Sequence, residues 1–341
     1  MTSTGPARPV SHATPAPDAC SVGFDRADVS AYGTAARASF FIALEQSGPW
    51  GRDAATESHL PAAVGRSLSQ ACSARGGRLS LIRRPGRHAD DAHDAGHTAY
   101  LAWAGEAPWL LQLSVTDPAT LLDLDLDALA SGDRTAVLAT APGAAPAEPI
   151  LLLCTNGRRD VCCAVRGRPV ALESFAQHPG RVWEASHTGG HRFAPTGVLL
   201  PHGATLARLD AAACAEVLTA AGAGHLPRSV LGPLHDRGRS PLSGPHQAAE
   251  SFVRHHAGIT DLTALSAGDA TAGVDDGADD VGDGADDVGD GADDVGGSYV
   301  VRHKDGRVWV VALERRAHEY LPESCGKAAV HVADWVGHLV G

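Results

Sequence analysis

Two short apolar segments of this chain each run directly into a pair of side chains that bind soft metals. Residues 150–153 are aliphatic throughout, and the first pair follows them, with eight residues between its members. Residues 181–185 have the pattern of a second strand, and the second pair follows, with three residues between its members. The pairs are Cys154 with Cys163, and His187 with His191. Because open α/β sheets place their sites beyond the carboxyl ends of strands, both pairs are expected at one edge of a sheet.

The order of elements around these pairs predicts an α/β fold with a thioredoxin-like core. A right-handed βαβ unit would be extended by an antiparallel hairpin and closed by a helix. The predicted elements are a strand at 150–153, a helical stretch ending near residue 177 with a break at Pro169, a strand at 181–185, a hairpin of 197–200 and 205–209, and a helix at 211–221 capped by Asp210.

The first half of the chain repeats this order more weakly. Its predicted elements are a strand at 39–45, a helix at 60–74, a strand at 78–83, a hairpin of 98–104 and 108–115, and a helix at 118–129. The position of the ligand loop is taken by residues 46–51, which offer no good metal donors. A second, degenerate thioredoxin-like half is one interpretation, and an unrelated α+β domain is the other.

These patterns predict five segments. They are a disordered arm at 1–18, an N-terminal α/β domain at 19–130, a linker at 131–148, a thioredoxin-like ferredoxin domain at 149–224, and a small α+β extension at 225–341. Within the extension we expect a helix at 245–257 and a hairpin at 299–313 with a type I′ turn at 304–307. A disordered Asp/Gly repeat is predicted at 268–297, since it lacks the ligand spacing of an EF-hand calcium loop.

Charge and hydropathy favour a protein that binds neither nucleic acid nor membrane. The net charge is -12, but ten aspartates of the repeat fall within 275–294, so the rest of the chain is close to neutral. No run approaches the roughly 20 apolar residues of a membrane helix. The N-terminal arm has no apolar signal core, which predicts a cytoplasmic location.

The chemistry of the four donors suits zinc or an iron–sulfur cluster better than a hard cation. Zinc fingers usually pair cysteines two to four residues apart, which is closer than the spacing here, although a structural zinc site stays open. Two separate loops with two thiols and two imidazoles match the ligand set of a Rieske-type [2Fe–2S] cluster. The seven cysteines are irregularly spaced, which disfavours a disulfide framework. The sequence has no C-x-x-C motif, which disfavours dithiol exchange.

The segments CTNGRRDVCCAVRGRPVA and VWEASHTGGHRFAPTGVLLPHG resemble the sucrase/ferredoxin-like family, a branch of the thioredoxin-like ferredoxins. The resemblance covers about residues 20–258. It implies a [2Fe–2S] cluster held by Cys154, Cys163, His187 and His191, and an electron carrier rather than an enzyme acting alone. Cys162 is the alternative to its neighbour, and the family spacing favours Cys163. No paired carboxylates stand out that would support a glycosidase.

Further residues of the two loops are expected to support the cluster. Gly189 and Gly190 would let backbone N–H groups approach it closely. The arginines of the loops would offset its charge or contact an acidic redox partner, or would form only a solvated basic rim. These arginines are Arg158, Arg159 and Arg192, with Arg166 and Arg168 nearby. A cis Ala194–Pro195 bond is also predicted. The competing function is a structural zinc-binding or partner-binding module that uses the same four donors.

Overall fold

The computed structural model describes residues 14–86, 96–270 and 296–340. Across these ranges the strands form a ten-stranded mixed sheet and a separate four-stranded antiparallel sheet. The α/β class predicted from the sequence is confirmed. Among the described helices, none is both long and apolar enough to cross a membrane.

The first half supplies five strands to the large sheet. Strand β1 is buried along its whole length, as expected for a strand covered on both faces. The elements are α1 (Cys20–Arg26), β1 (Phe40–Glu45), α2 (Ala54–Glu57), α3 (Ala62–Ser73), β2 (Gly77–Arg83), β3 (His97–Trp103), β4 (Trp109–Val115), a 3-10 helix (Pro118–Asp123), α4 (Leu126–Ser131), α5 (Arg134–Thr140) and β5 (Ala145–Pro146).

The second half supplies the other five strands. Its first strand is again fully buried, and Asp210 caps the last helix as predicted, accepting a hydrogen bond from the Ala213 N–H. The elements are β6 (Ile150–Cys154), a π-helix (Cys163–Gly167), α6 (Arg168–Gln177), β7 (Val182–Ala185), a 3-10 helix (His191–Phe193), β8 (Gly197–Leu200), β9 (Ala204–Leu206), α7 (Ala211–Ala221), a 3-10 helix (Arg228–Val230) and β10 (Asp236–Arg239).

The two halves have the same strand arrangement. In the first half β1 lies between parallel β2 and antiparallel β3, with β4 beyond β3. In the second half β6 lies between parallel β7 and antiparallel β8, with β9 beyond β8. This repeated order is the one that the sequence patterns predicted for two related halves. The thioredoxin-like character of each half remains a prediction.

One sheet joins the halves, because β2 and β7 pair antiparallel through Ile82 with Ala185 and Arg83 with Glu184. Arg83 and Glu184 also form an ion pair of 2.6 Å. On one face of the sheet a single apolar cluster includes side chains of both halves, and Tyr100 packs edge-on against Trp183 there, with ring centroids 5.8 Å apart. The halves therefore share a core.

The structure differs from the predicted segment boundaries in two places. Residues 131–148 are not an unstructured linker, because they contain α5 and β5, and Asp133 caps α5. The large sheet also continues past residue 224, since β10 pairs with β9. The predicted helix at 118–129 is two pieces, because Asp125 caps a new helix by accepting a hydrogen bond of 2.9 Å from the Ala128 N–H.

The C-terminal extension is a helix packed on the small sheet. Its elements are α8 (Gly244–Ala257), β11 (Leu265–Asp269), β12 (Gly297–His303), β13 (Val308–Leu321) and β14 (Val330–Leu339). The predicted hairpin is present, but its turn is not type I′, which requires positive φ at two adjacent residues. Only Gly306 has positive φ there, and its N–H donates to the His303 carbonyl.

The predicted disordered segments fall largely on residues for which no structure is given. Residues 1–13 of the predicted arm and 271–295 of the predicted repeat lie outside the described ranges. The ends of the repeat that are described belong to strands, since Asp269 pairs with Tyr299 across β11 and β12. The Ala194–Pro195 bond is cis, as predicted, and so are Gly48–Pro49 and Leu200–Pro201.

Candidate metal centre

Cys154 ends β6 and is buried, with 1% of its surface exposed. The chain leaves this strand, turns through the loop and returns in the π-helix that begins at Cys163. A side chain at Gly167 would come within 2.3 Å of the Cys154 carbonyl oxygen, so glycine is what allows the π-helix to pack against the strand end. Single π-turns of this kind are frequent at functional sites.

Cys154, Cys163 and His187 are neighbours. Interaction with the Cys163 thiol lowers the pKa of Cys154 well below its usual value. Burial opposes this effect, and His187 and the Thr188 N–H add to it. The same interaction with Cys154, together with burial, raises the pKa of Cys163. The structure therefore places two thiols and one imidazole close together.

The histidine loop follows β7 and depends on two glycines. Gly189 and Gly190 have φ of 76° and 67°, a left-handed conformation that side chains rarely adopt. A side chain at Gly190 would also come within 2.4 Å of the Arg237 guanidinium. The turn at these two residues lets His187 and His191 approach the thiol pair from the same loop.

Three ring nitrogens of this loop are buried and have no hydrogen-bond partner among the described residues. They are Nδ1 of His187 and both Nδ1 and Nε2 of His191. The nearest carboxylate oxygen to His191 Nε2 is Oδ2 of Asp160, at 3.7 Å. Burial lowers the pKa of His191, and Asp160 only partly opposes it. Buried polar atoms are nearly always satisfied, so unsatisfied nitrogens on both histidines of one loop call for a missing partner.

Arg237 of β10 lies behind the histidine loop and is 1% exposed. Its guanidinium donates to the Gly189 carbonyl at 3.0 Å, and to the hydroxyl and carbonyl of Thr34. Burial lowers the pKa of Arg237 to about 9, and the nearby sulfurs of Cys154 and Cys163 oppose that effect. In the described ranges no carboxylate forms an ion pair with this guanidinium. It is a buried positive charge near the thiol pair.

The arginines predicted to support the loops have different surroundings. Arg192 pairs with Glu323 at 3.3 Å, and Arg166 pairs with Asp25 at 2.8 Å. Arg158 and Arg168 are exposed. Arg159 and Arg192 line an open groove that runs past His187 and His191 and contains seven arginines and three acidic residues.

Cys162 points away from this pair, although it is adjacent to Cys163 in sequence. Its sulfur lies 3.5 Å from that of Cys20 and 3.2 Å from that of Cys325, and Cys325 and Cys20 are 3.5 Å apart. We call these residues the three-thiol cluster. A hydrogen bond from Cys20 lowers the pKa of Cys162 to about 6, with burial opposing it.

The three-thiol cluster and Asp160 could hold a metal ion. Within the described ranges they are the one group of three or more Cys, His, Asp or Glu donors that all lie within 4.8 Å of one another. The four ligands predicted from the sequence do not form such a compact group. Sequence reasoning missed Cys20, Cys325, Asp160 and Arg237, because no short motif connects residues so far apart in the chain.

The described fold is that of a mixed α/β protein with a candidate metal centre beyond the carboxyl ends of β6 and β7. The chain belongs to the Sucrase/ferredoxin-like family, which matches residues 31–232, more than half of its length. A search of curated proteins and a search of solved structures found no match. Cys20, Arg237 and Cys325 lie outside the matched residues.

Proposed function

We propose that this protein binds a [2Fe–2S] cluster and transfers single electrons. The proposed ligands are Cys154, Cys163, His187 and His191. The observation that carries the proposal is the closeness of His187 to the buried thiol pair, combined with the unpartnered ring nitrogens of both histidines. Two thiolates and two imidazoles are the ligand set of a Rieske-type cluster, with each pair on one iron.

The charge near the thiol pair supports its ionised, metal-binding form. A buried guanidinium without a carboxylate partner costs several kcal/mol unless another negative charge lies nearby. Arg237 lies near the two sulfurs, which become thiolates when they bind a metal. Gly189 holds this guanidinium through its carbonyl and so connects the positive charge to the histidine loop.

The spacing of the donors favours a cluster over a single zinc ion. With a Zn–S bond of about 2.3 Å, two sulfurs of a tetrahedral site lie only about 3.8 Å apart. No three of the four donors lie within 4.8 Å of one another in the described structure. Two irons bridged by sulfide accommodate ligand pairs on two separate loops. The zinc module that uses these four residues is therefore the weaker alternative.

The arrangement gives the cluster a buried side and an open side. Cys154 and Cys163 are each 1% exposed, whereas His187 and His191 line the open groove. When bound, the cluster supplies a one-electron redox couple, and the histidine side is where a partner could come close to it. The excess of arginines in the groove favours an acidic redox partner. Reduction by an anionic mediator should be faster than by a cationic mediator of equal potential, and should slow with added salt.

The proposal is tested by anaerobic purification of the full chain with iron, sulfide and zinc analysis. About two irons and two sulfides per chain are expected, with a rhombic EPR signal after reduction. Cys154→Ser and Cys163→Ser should lose most of the iron, because a serine oxygen replaces a thiolate poorly. Cys214→Ser, a change on the buried face of α7, should keep the iron.

Cys162→Ser is the matched control, since it alters the neighbouring residue of the same loop. It should retain iron, because its sulfur faces Cys20 and Cys325 rather than Cys154. Loss of iron in Cys162→Ser with retention in Cys163→Ser would refute the ligand set. Colourless protein with one zinc that depends on Cys154 and Cys163 would support the zinc alternative.

A further inference from the structure

Three distant segments of the chain bring their sulfurs together in the three-thiol cluster. Cys20 begins α1, Cys162 precedes the π-helix, and Cys325 lies in the connection between β13 and β14. The sulfur–sulfur separations are between 3.2 and 3.5 Å. This is a nearly equilateral triangle of thiols.

A carboxylate completes the group. Oδ1 and Oδ2 of Asp160 lie 3.9 and 4.0 Å from the Cys20 sulfur. The carboxylate accepts hydrogen bonds from the N–H of Cys162 at 2.8 Å, the N–H of Cys325 at 2.9 Å and the Ser324 hydroxyl at 2.9 Å. Its position is therefore fixed by the same segments that supply the thiols.

We propose that the three-thiol cluster and Asp160 form a second, structural metal site that binds one Zn²⁺. Three thiolates and one carboxylate make a closed tetrahedral ligand set of the kind that structural zinc takes. With Zn–S bonds of about 2.3 Å the sulfurs would be about 3.8 Å apart, so each needs to move outward by only a few tenths of an ångström. Soft thiolates favour zinc over magnesium or calcium.

Ordinary packing of buried cysteines does not account for this arrangement. Cys72 and Cys214 show the usual case, since each lies among aliphatic side chains of a large core cluster. The three-thiol cluster instead lies beside a buried carboxylate, and Ser21 donates to the Cys162 sulfur at 3.3 Å. Three thiols and an ionisable acid are a polar group that a cation would stabilise.

The proposed zinc site would fix the loop that carries the first centre. Adjacent residues of that loop face the two sites, with Cys163 toward Cys154 and Cys162 toward Cys20. Zinc would tie this loop to α1 and to the β13–β14 connection. Two of its thiols, Cys20 and Cys325, lie outside the residues matched by the family, so half of the ligand set comes from segments that flank the matched region.

The test is metal analysis of the full chain, purified without added chelator, with zinc and iron measured separately. We expect about one zinc per chain, falling at least fivefold in Cys20→Ser and in Cys325→Ser while iron is retained. Cys163→Ser should lose iron and keep zinc, and Cys72→Ser should keep both metals. Far-UV circular dichroism confirms that each variant is folded.

A second measurement needs no variant. Titration of the wild-type protein with a mercurial reagent should release zinc as three thiols react, and cobalt in place of zinc should give thiolate-to-cobalt charge-transfer absorption. Wild-type protein with less than a tenth of a zinc per chain after growth with zinc would overturn the proposal. Zinc that is unchanged in both Cys20→Ser and Cys325→Ser would overturn it as well. Neither result bears on the iron content, which tests the [2Fe–2S] proposal alone.

Discussion

Glu250 of α8 is the centre of a buried ion-pair network that holds the C-terminal extension against the large sheet. Its carboxylate accepts two hydrogen bonds from Arg239 of β10, at 2.8 and 2.7 Å, and one from Arg254 at 3.1 Å. The side chains of Glu250 and Arg254 are 3% and 2% exposed. Burial alone would raise the pKa of Glu250, but the two guanidiniums outweigh it and hold the pKa below its usual value.

Glu250→Gln should therefore destabilise the protein strongly at neutral pH. Glutamine preserves the size of the side chain but leaves two guanidiniums largely buried without their counter-charge, which typically costs about 3–5 kcal/mol. Asp236 lies close enough to Arg239 to offset part of this cost. We therefore expect the free energy of unfolding to fall by about 3 kcal/mol. At roughly 2 °C per kcal/mol for a chain of this size, the Tm should fall by about 6 °C.

The pH dependence provides a second check. Because the folded pKa of Glu250 is depressed, its contribution to stability is present above the unfolded value of about 4.3 and is lost as the pH falls through the folded value. The Tm difference between wild type and Glu250→Gln should thus narrow below about pH 4. Thermal melts followed by circular dichroism from neutral to acidic pH measure both effects.

Glu173→Gln is the matched control, since Glu173 is exposed on α6. This change should alter stability by no more than about 0.5 kcal/mol. The reasoning is refuted if Glu250→Gln lowers the Tm by less than about 2 °C, which corresponds to roughly 1 kcal/mol. A Tm difference that stays constant into acid would show that the charge of Glu250 is not the cause.

Three further outcomes are expected. Gly190→Ala should destabilise the histidine loop by more than about 1 kcal/mol and reduce iron retention, because it combines positive φ with a clash against Arg237. Gly180→Ala, which has positive φ but open space, should retain iron, as metal analysis of both variants would show. Asp210→Ala should cost about 1 kcal/mol in urea unfolding, since it removes a helix cap. Deletion of 277–294 should leave folding and iron content unchanged, because the strands on either side pair directly; precipitation or loss of iron would contradict this.

The strand order of both halves could be predicted from the sequence because it depends on local patterns. Buried parallel strands are continuous apolar runs, and β1 and β6 show this directly. The predicted linker was wrong for a local reason too, since its alanines and glycines hid the cap at Asp133 that begins α5. Helix caps are short signals that composition alone does not reveal.

The candidate site likewise has a part that the sequence predicts and a part that it does not. The closeness of Cys154, Cys163 and His187 follows from their positions at the ends of neighbouring strands, which the sequence does indicate. Arg237 and the three-thiol cluster depend on contacts between segments as far apart as Cys20 and Cys325. Such contacts are set by the packing of α1 and the β13–β14 connection, and no spacing rule in a single sequence encodes them.

The pairing of β2 with β7 limits which fragments of this chain can fold on their own. Each half contributes an edge strand to the junction, and the ladder between them consists of two residue pairs. A fragment holding the second half alone would expose β7 as an unpaired edge, with Trp183 of the shared core uncovered beside it. Exposed edges of this kind recruit strands from other molecules. The half that carries the candidate ligands is therefore expected to aggregate on its own, because in the whole chain β2 of the first half covers this edge.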